Sequence, residues 1–315
     1  MKVLVTGGAG FIGSHLAEAL CRRGADVVVL DNLSLGNISN LNWKRKGDLL
    51  EFVRGDVTNE KLARRLMAGC EWVFHEAALP SVPSSVAKPV QSNTHNLDAT
   101  LQLLVLAKDA GVKRFVFASS SAIYGDIDAA MKHEQLPPDP LSPYALQKYA
   151  AEKYGQLFYQ LHGLTTVSLR YFNVFGPRQA FDSPYSGVIA KFCTNFLQGR
   201  APIIYGDGKQ SRDFTCIENV VQANLLAVKA PAGKIAGKVF NIATGRSISL
   251  LELVAELNYL TGQSLTPQFK PARAGDVRFS TANITAARKN LGYRPKITFR
   301  EGLKKTLDFY RSSDV

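Results

Sequence analysis

Cysteine is scarce in this 315-residue chain. The four present, Cys21, Cys70, Cys193 and Cys216, are scattered without the short spacings that hold zinc or staple a small secreted fold. No metal site and no disulfide framework are therefore expected. Long apolar runs are missing too, so no stretch reads as a bilayer span. The opening "MKVLVTGGAG" runs into glycines rather than a cleavage site. It reads as a strand and not a signal peptide, and a cytoplasmic protein is expected. There is no internal repeat and no low-complexity tract. The formal charge of +12 comes from small basic groups such as Arg22-Arg23, "WKRK" at 43–46 and Lys304-Lys305. No nucleic-acid motif accompanies them, so the charge reads as a solvated surface, with neither nucleic acid nor membrane as partner.

What is present alternates. "KVLVTG", "DVVVLDN", "EFVRGDV", "WVFHEAA", "RFVFASSS" and "TTVSLRYF" are short apolar strands. Amphipathic stretches lie between most of them, including helices expected at 59–68, at 91–110 and from Tyr144. That alternation predicts an α/β fold of the Rossmann type, a doubly wound parallel sheet covered on both faces. From about residue 171 the pattern becomes mixed, with "PIIYG", "RDFTCI" and "KVFNIATG" as short strands. Helices are expected near 188–199 and 219–230, behind the Ser249/Glu252 capping box, and at the C-terminus. Residues 1–170 are read as a dinucleotide-binding domain and 171–315 as mainly a smaller substrate lobe, with room for the chain to cross back.

"VTGGAGFIGSHL" places Gly7, Gly10 and Gly13 between the first strand and the first helix. The turn at Gly7, the bare backbone at Gly10 and close packing at Gly13 suit a pyrophosphate on a helix N-terminus. Asp31 ends the second strand, where its carboxylate can take the ribose hydroxyls and repel a 2′-phosphate, so NAD is favoured over NADP. Asp56, in "GDV", is a weaker candidate for the adenine end.

In "SPYALQKYAAEKYGQLF", Tyr144 and Lys148 stand four apart on one helix face. Tyrosine in water has a pKa of about 10. A cation at about 6 Å with an effective dielectric near 20 lowers it by roughly two units. Lys148 supplies one such charge and an oxidised nicotinamide would supply another, making Tyr144 a base near neutral pH. Ser119, Ser120 and Ser121 end the preceding strand, where a serine can hold a substrate hydroxyl.

At these residues the chain resembles the extended short-chain dehydrogenase/reductase family. Within it the chain is most similar to the nucleotide-sugar 4-epimerases that act on UDP-glucose and UDP-N-acetylglucosamine. The resemblance runs nearly end to end, through "TGGAGFIGSHL", "SSSAIYG", "SPYALQK", "RYFNVFGPRQ", "GDGKQSRDF" and "RAGDVRFS". It implies Tyr144 as acid/base, Lys148 as its electrostatic partner and Ser121 as the hydroxyl anchor. Gly7, Gly10, Phe11, Ile12, Gly13, Asp31, Asn32, Asp56 and Val57 would line the NAD site. Ala77, Ala78 and Asn96 would lie along the cofactor. Asn173, Tyr205, Arg212, Arg273 and Asp276 would hold a UDP-sugar, with the arginines on the phosphates.

The implied reaction oxidises the sugar at C4 and reduces it from the opposite face. Related dehydratases and decarboxylases carry an acid just after the strand-end serine or threonine, and Ala122-Ile123 supply none. Ser280 falls where sugar-pocket width is set, and its small size implies acceptance of 2-acetamido sugars. Departures from the common pattern occur at Ala99, Gln147 and Asn283. The alternatives are a UDP-glucuronic acid 4-epimerase and a non-catalytic NAD-binding regulator, which would be expected to lose Tyr-x-x-x-Lys. A homodimer through the helices near 91–110 and 144–161 is expected by analogy.

Overall fold

The computed structural model describes residues 1–181, 187–272 and 278–312. The first half runs β1 (Lys2–Thr6), α1 (Phe11–Cys21), β2 (Asp26–Asp31), β3 (Leu50–Arg54), α2 (Glu60–Met67) and β4 (Trp72–His75). Two short helices follow, α3 (Val82–Ala87) and α4 (Pro89–Asn93), then α5 (Ala99–Asp109), β5 (Arg114–Ser120), α6 (Pro143–His162) and β6 (Thr166–Tyr171). Next come β7 (Val174–Phe175), α7 (Val188–Leu197), β8 (Ile203–Tyr205), β9 (Ser211–Arg212), β10 (Thr215–Cys216) and α8 (Ile217–Lys229). The chain continues through α9 (Ala232–Ile235), β11 (Lys238–Ile242), β12 (Ile248–Ser249), α10 (Leu250–Thr261) and β13 (Gln268–Lys270). It ends with β14 (Phe279–Ser280), α11 (Thr285–Leu291) and α12 (Phe299–Ser312).

Seven strands form one sheet in the order β3-β2-β1-β4-β5-β6-β11, and every pairing is parallel. Alternate residues feed opposite cores, which is why the strands read as continuous apolar runs. Val3 and Val5 of β1 pack with Leu16 and Leu20 of α1 and Val220 of α8. Leu4 packs instead with Leu66 of α2 and Leu103 of α5. Strand order reverses between β1 and β4, and the crevice beyond their carboxyl ends is where such sheets bind ligands. β11 lies beside β6, so the chain returns to the main sheet after building part of the second lobe. That lobe carries a three-stranded sheet, β12-β9-β14, and a two-stranded pair, β13-β8.

Two local features position the site. Ser142 caps α6, its hydroxyl accepting from the Ala145 N–H at 3.2 Å, and Pro143 opens the first turn. Tyr144 is thereby fixed in that turn. The helix expected over 91–110 is not continuous, because a π-helical turn at Thr94–Asp98 separates α4 from α5. The turn directs Asn96 inward, where its amide accepts from the Leu79 N–H at 2.7 Å and donates to the Leu79 carbonyl at 3.1 Å.

Candidate active site

A cavity of about 380 Å³ crosses the carboxyl ends of β2, β1, β4, β5 and β6. Its floor is the glycine loop. Gly7 has φ of +68°, and a Cβ there would come within 2.7 Å of the Ala77 nitrogen. At Gly13 a Cβ would overlap the Gly7 carbonyl, so this glycine lets α1 sit against the loop itself. Gly10 precedes α1, and no side chain caps the first-turn amides. Those uncapped N–H groups, together with Phe11 and Ile12 on the cavity wall, fit a bound pyrophosphate.

Asp31 is buried at the β2 end. It accepts from the Ala9 N–H at 3.0 Å and the Leu33 N–H at 2.8 Å, one bond per oxygen. Each oxygen keeps acceptor capacity for a ribose hydroxyl. Asn32 and Val57 also line this end. Asp56 is drawn into its own cluster, accepting from Asn32 at 2.6 Å and from the Thr58 hydroxyl at 2.7 Å. Burial pushes its carboxyl up, but those bonds and His95 hold it below the usual range. The cavity wall is formed by its neighbours Gly55 and Val57, so Asp56 steadies Asn32. Ala77 and Ala78 face the cavity. Asn96 does not: it is buried behind Leu79, tied to Gln147 at 2.9 Å and Ser92 at 3.2 Å. It steadies the wall by holding Leu79, which lines the cavity.

At the opposite end are Tyr144 and Lys148. The Lys148 ammonium donates to the Ala118 carbonyl at 2.7 Å and lies 4.7 Å from the Phe117 ring centre. It is 5.9 Å from the Tyr144 ring centre. Burial lowers its pKa to about 8, against the raising charges of Glu76 and Glu152. Of the strand-end serines it is Ser120 that favours the ionised Tyr144 phenol, while Ser121 opens the short 3-10 turn at Ser121–Tyr124 that follows the strand. One expectation needs correction here: the Tyr144 pKa is raised, not lowered, because burial pushes it up by more than Ser120 brings it down. Lys148 alone does not overcome the desolvation of the phenolate.

Beneath this pair Glu152 accepts from Nε and Nη2 of Arg170, at 2.8 and 2.7 Å, and from the Ser119 hydroxyl at 2.5 Å. A buried charge pair of this kind locks α6 to β5 and β6. Glu76 and Tyr171 also face the cavity and had drawn no role from the sequence. Both stand at the ends of apolar strands, where periodicity does not single out a polar residue.

A second cavity of about 260 Å³ brings together Asn173, Tyr205 and Arg212 with Val188, Ile203, Gln210 and Leu250. Asn173 holds φ at +30°, a left-handed conformation that asparagine tolerates. Ser280 pairs with Arg212 in the β14–β9 register, one strand away from this cavity's arginine. Arg273 and Asp276 lie outside the described residues. Among the described residues no cluster of three metal-ligating side chains occurs, and no helix is long and apolar enough to cross a membrane.

A doubly wound sheet, a glycine cradle and a buried tyrosine–lysine pair define a dinucleotide-dependent enzyme of the short-chain dehydrogenase/reductase type. Comparison with known proteins narrows the class. Residues 3–243 match the model of the NAD dependent epimerase/dehydratase family. The chain is 39% identical to a UDP-glucose 4-epimerase of Mycolicibacterium smegmatis, over 99% of each chain. It superposes on the Thermotoga maritima UDP-glucose 4-epimerase solved with UDP-glucose with TM-score 0.93, at 40% identity over 100% of both chains. For the UDP-N-acetylglucosamine 4-epimerase of Methanobrevibacter ruminantium the TM-score is 0.94, at 38% identity over 99% of this chain and 98% of that one. The chain belongs to the NAD dependent epimerase/dehydratase family. It is an NAD-dependent epimerase, an isomerase.

Proposed function

We propose that the chain interconverts UDP-glucose with UDP-galactose and UDP-N-acetylglucosamine with UDP-N-acetylgalactosamine. One observation carries the reading: Tyr144, with Lys148 one turn away, lines the same cavity as the glycine cradle. Bound NAD supplies a hydride acceptor and donor for C4 and, when oxidised, a second positive charge near the phenol. Tyr144 takes the proton of the 4-hydroxyl and returns it. Ser120 orients that hydroxyl, and Lys148 stabilises the phenolate. The cavity at Asn173, Tyr205 and Arg212 suits a nucleoside diphosphate, with Arg273 and Asp276 expected beside it from the family resemblance. In this division of labour, residues to about 170 serve mainly the cofactor, and later residues mainly the UDP-sugar.

Epimerisation is favoured over elimination because Ser121 and Ala122 follow Ser120, and neither is an acid. A homodimer is supported by exposed Leu146, Leu157 and Leu161 along α6 and Val105 on α5, an apolar face suited to a second copy. Sedimentation of the purified protein tests that state. The function is tested by offering UDP-glucose, UDP-N-acetylglucosamine and UDP-glucuronic acid separately and resolving the products by chromatography. Inversion of the first two supports the reading. Turnover of UDP-glucuronic acid alone establishes the 4-epimerase of that acid instead.

A further inference from the structure

The Lys148 ammonium sits on the Ala118 carbonyl, and the β4–β5 register, with His75 opposite Phe117, brings Glu76 alongside Ala118. Glu76 and Glu152 both favour the charged ammonium, and they are not equivalent. Glu152 is committed to Arg170 through two bonds, so its charge is already matched. Glu76, just past the end of β4, faces the cavity and takes a hydrogen bond from a neutral donor, the Tyr171 hydroxyl, at 2.9 Å. That hydroxyl in turn accepts from the Asn224 amide at 2.8 Å, and the same amide donates to the Val220 carbonyl at 3.0 Å. A relay from α8 through β6 thus fixes the Glu76 side chain on the wall that also carries Tyr144 and Lys148.

Among the described residues, three elements bring polar groups toward Glu76. β6 presents Tyr171, α6 presents Lys148, and α8 presents the uncharged Asn224. His75, its neighbour on β4, bonds to Thr6 and Thr100 and is neutral. We propose that Glu76 is a positioning residue that acts through Lys148, as the unmatched counter-charge that keeps the ammonium protonated beside Tyr144. Burial of Glu76 raises its carboxyl to about 7, against the Tyr171 bond and the Lys148 charge, so the acid is ionised in the range where Lys148 begins to lose its proton. This inference rests on Tyr144 and Lys148 being the reacting pair.

The test is the pH dependence of kcat/KM for UDP-sugar inversion by the NAD-bound enzyme and its Glu76→Gln variant. The glutamine keeps an acceptor for Tyr171 and removes only the charge. The expected result is an alkaline limb displaced toward acid by about one pH unit. Tyr171→Phe, which weakens the hold on the carboxylate and raises its pKa, displaces the limb in the same direction by less. Acetic anhydride labelling of the Lys148 peptide against pH, read by mass spectrometry, follows the same order without needing turnover. Superimposable profiles and labelling midpoints overturn the proposal, as does a loss of rate by a factor constant with pH. If Tyr144→Phe is fully active, the reading of the reacting pair has failed. An inactive Tyr144→Phe with unmoved Glu76→Gln profiles defeats only the role of Glu76.

Discussion

Three adjacent serines span the end of β5 and the turn after it, and the structure gives them three environments. Ser119 donates to the buried Glu152, Ser120 accepts from the Ala122 N–H at 3.1 Å and favours the ionised Tyr144 phenol, and Ser121 begins a turn. Strand alternation does not distinguish the last two, because the strand ends between them. Ser120→Ala is therefore expected to lower kcat by at least tenfold. It should also move the acid limb of the rate profile upward, since Ser120 opposes the effect of burial on the phenol. Ser121→Ala should leave kcat within about threefold, and equal losses in the two variants would restore the other assignment. Ser280 stands in register with Arg212, so under the proposed function a larger side chain there would crowd the sugar. Ser280→Tyr should abolish turnover of UDP-N-acetylglucosamine while sparing UDP-glucose. Equal loss on both substrates would contradict that.

At the scale of elements, the parallel sheet was legible because both of its faces are covered. Its strands are short apolar runs, and the cap at Ser142 and the glycine turn at 163 bound α6. The short strands β7, β9, β10, β12 and β14 have two residues each and no period to detect. The π turn was hidden for a different reason. Its cause is a long-range demand, the bonding of Asn96 to Leu79 and Gln147, that helix propensity does not contain. Of the site, the glycine loop, Asp31, Tyr144 and Lys148 were visible as a chain of spacings. Glu76 and Tyr171 were not, since neither belongs to a spacing that chemistry dictates. Packing is close between α1 and the glycine loop. Gly13→Ala forces a methyl into the Gly7 carbonyl, so the two segments must part. A loss of about 1–3 kcal/mol in stability is expected, with loss of NAD carried through purification. Normal NAD content and melting temperature would show that the contact relaxes freely.

At the scale of the whole molecule, burial sets the response to acid. His75 lies in the centre of the sheet, bonded to Thr6 at 2.7 Å and Thr100 at 2.9 Å. Burial, with the Lys148 charge, lowers its pKa to about 3. Its folded pKa is thus below the unfolded value, so the unfolded chain binds the extra proton once pH falls under about 6.5. Stability from this group is full above that pH and is lost between about 6.5 and 3. Relative to a His75→Gln variant, the wild-type protein should lose about 2 kcal/mol of unfolding free energy on going from pH 7 to 5. Urea denaturation at the two pH values measures the difference. Glu76 works in the opposite sense, because its raised carboxyl binds a proton in the folded state first as pH falls from about 7. Glu76→Gln should consequently be more acid-sensitive than the wild type. Parallel denaturation curves for all three proteins would contradict this account.

The most direct measurement is the turnover of UDP-glucose and UDP-galactose by NAD-loaded Tyr144→Phe. Removing one hydroxyl from a cavity whose glycine cradle is untouched should leave NAD bound and lower kcat by roughly 10²- to 10⁴-fold. Inversion at the wild-type rate would contradict the assignment of Tyr144 as the group that takes and returns the proton.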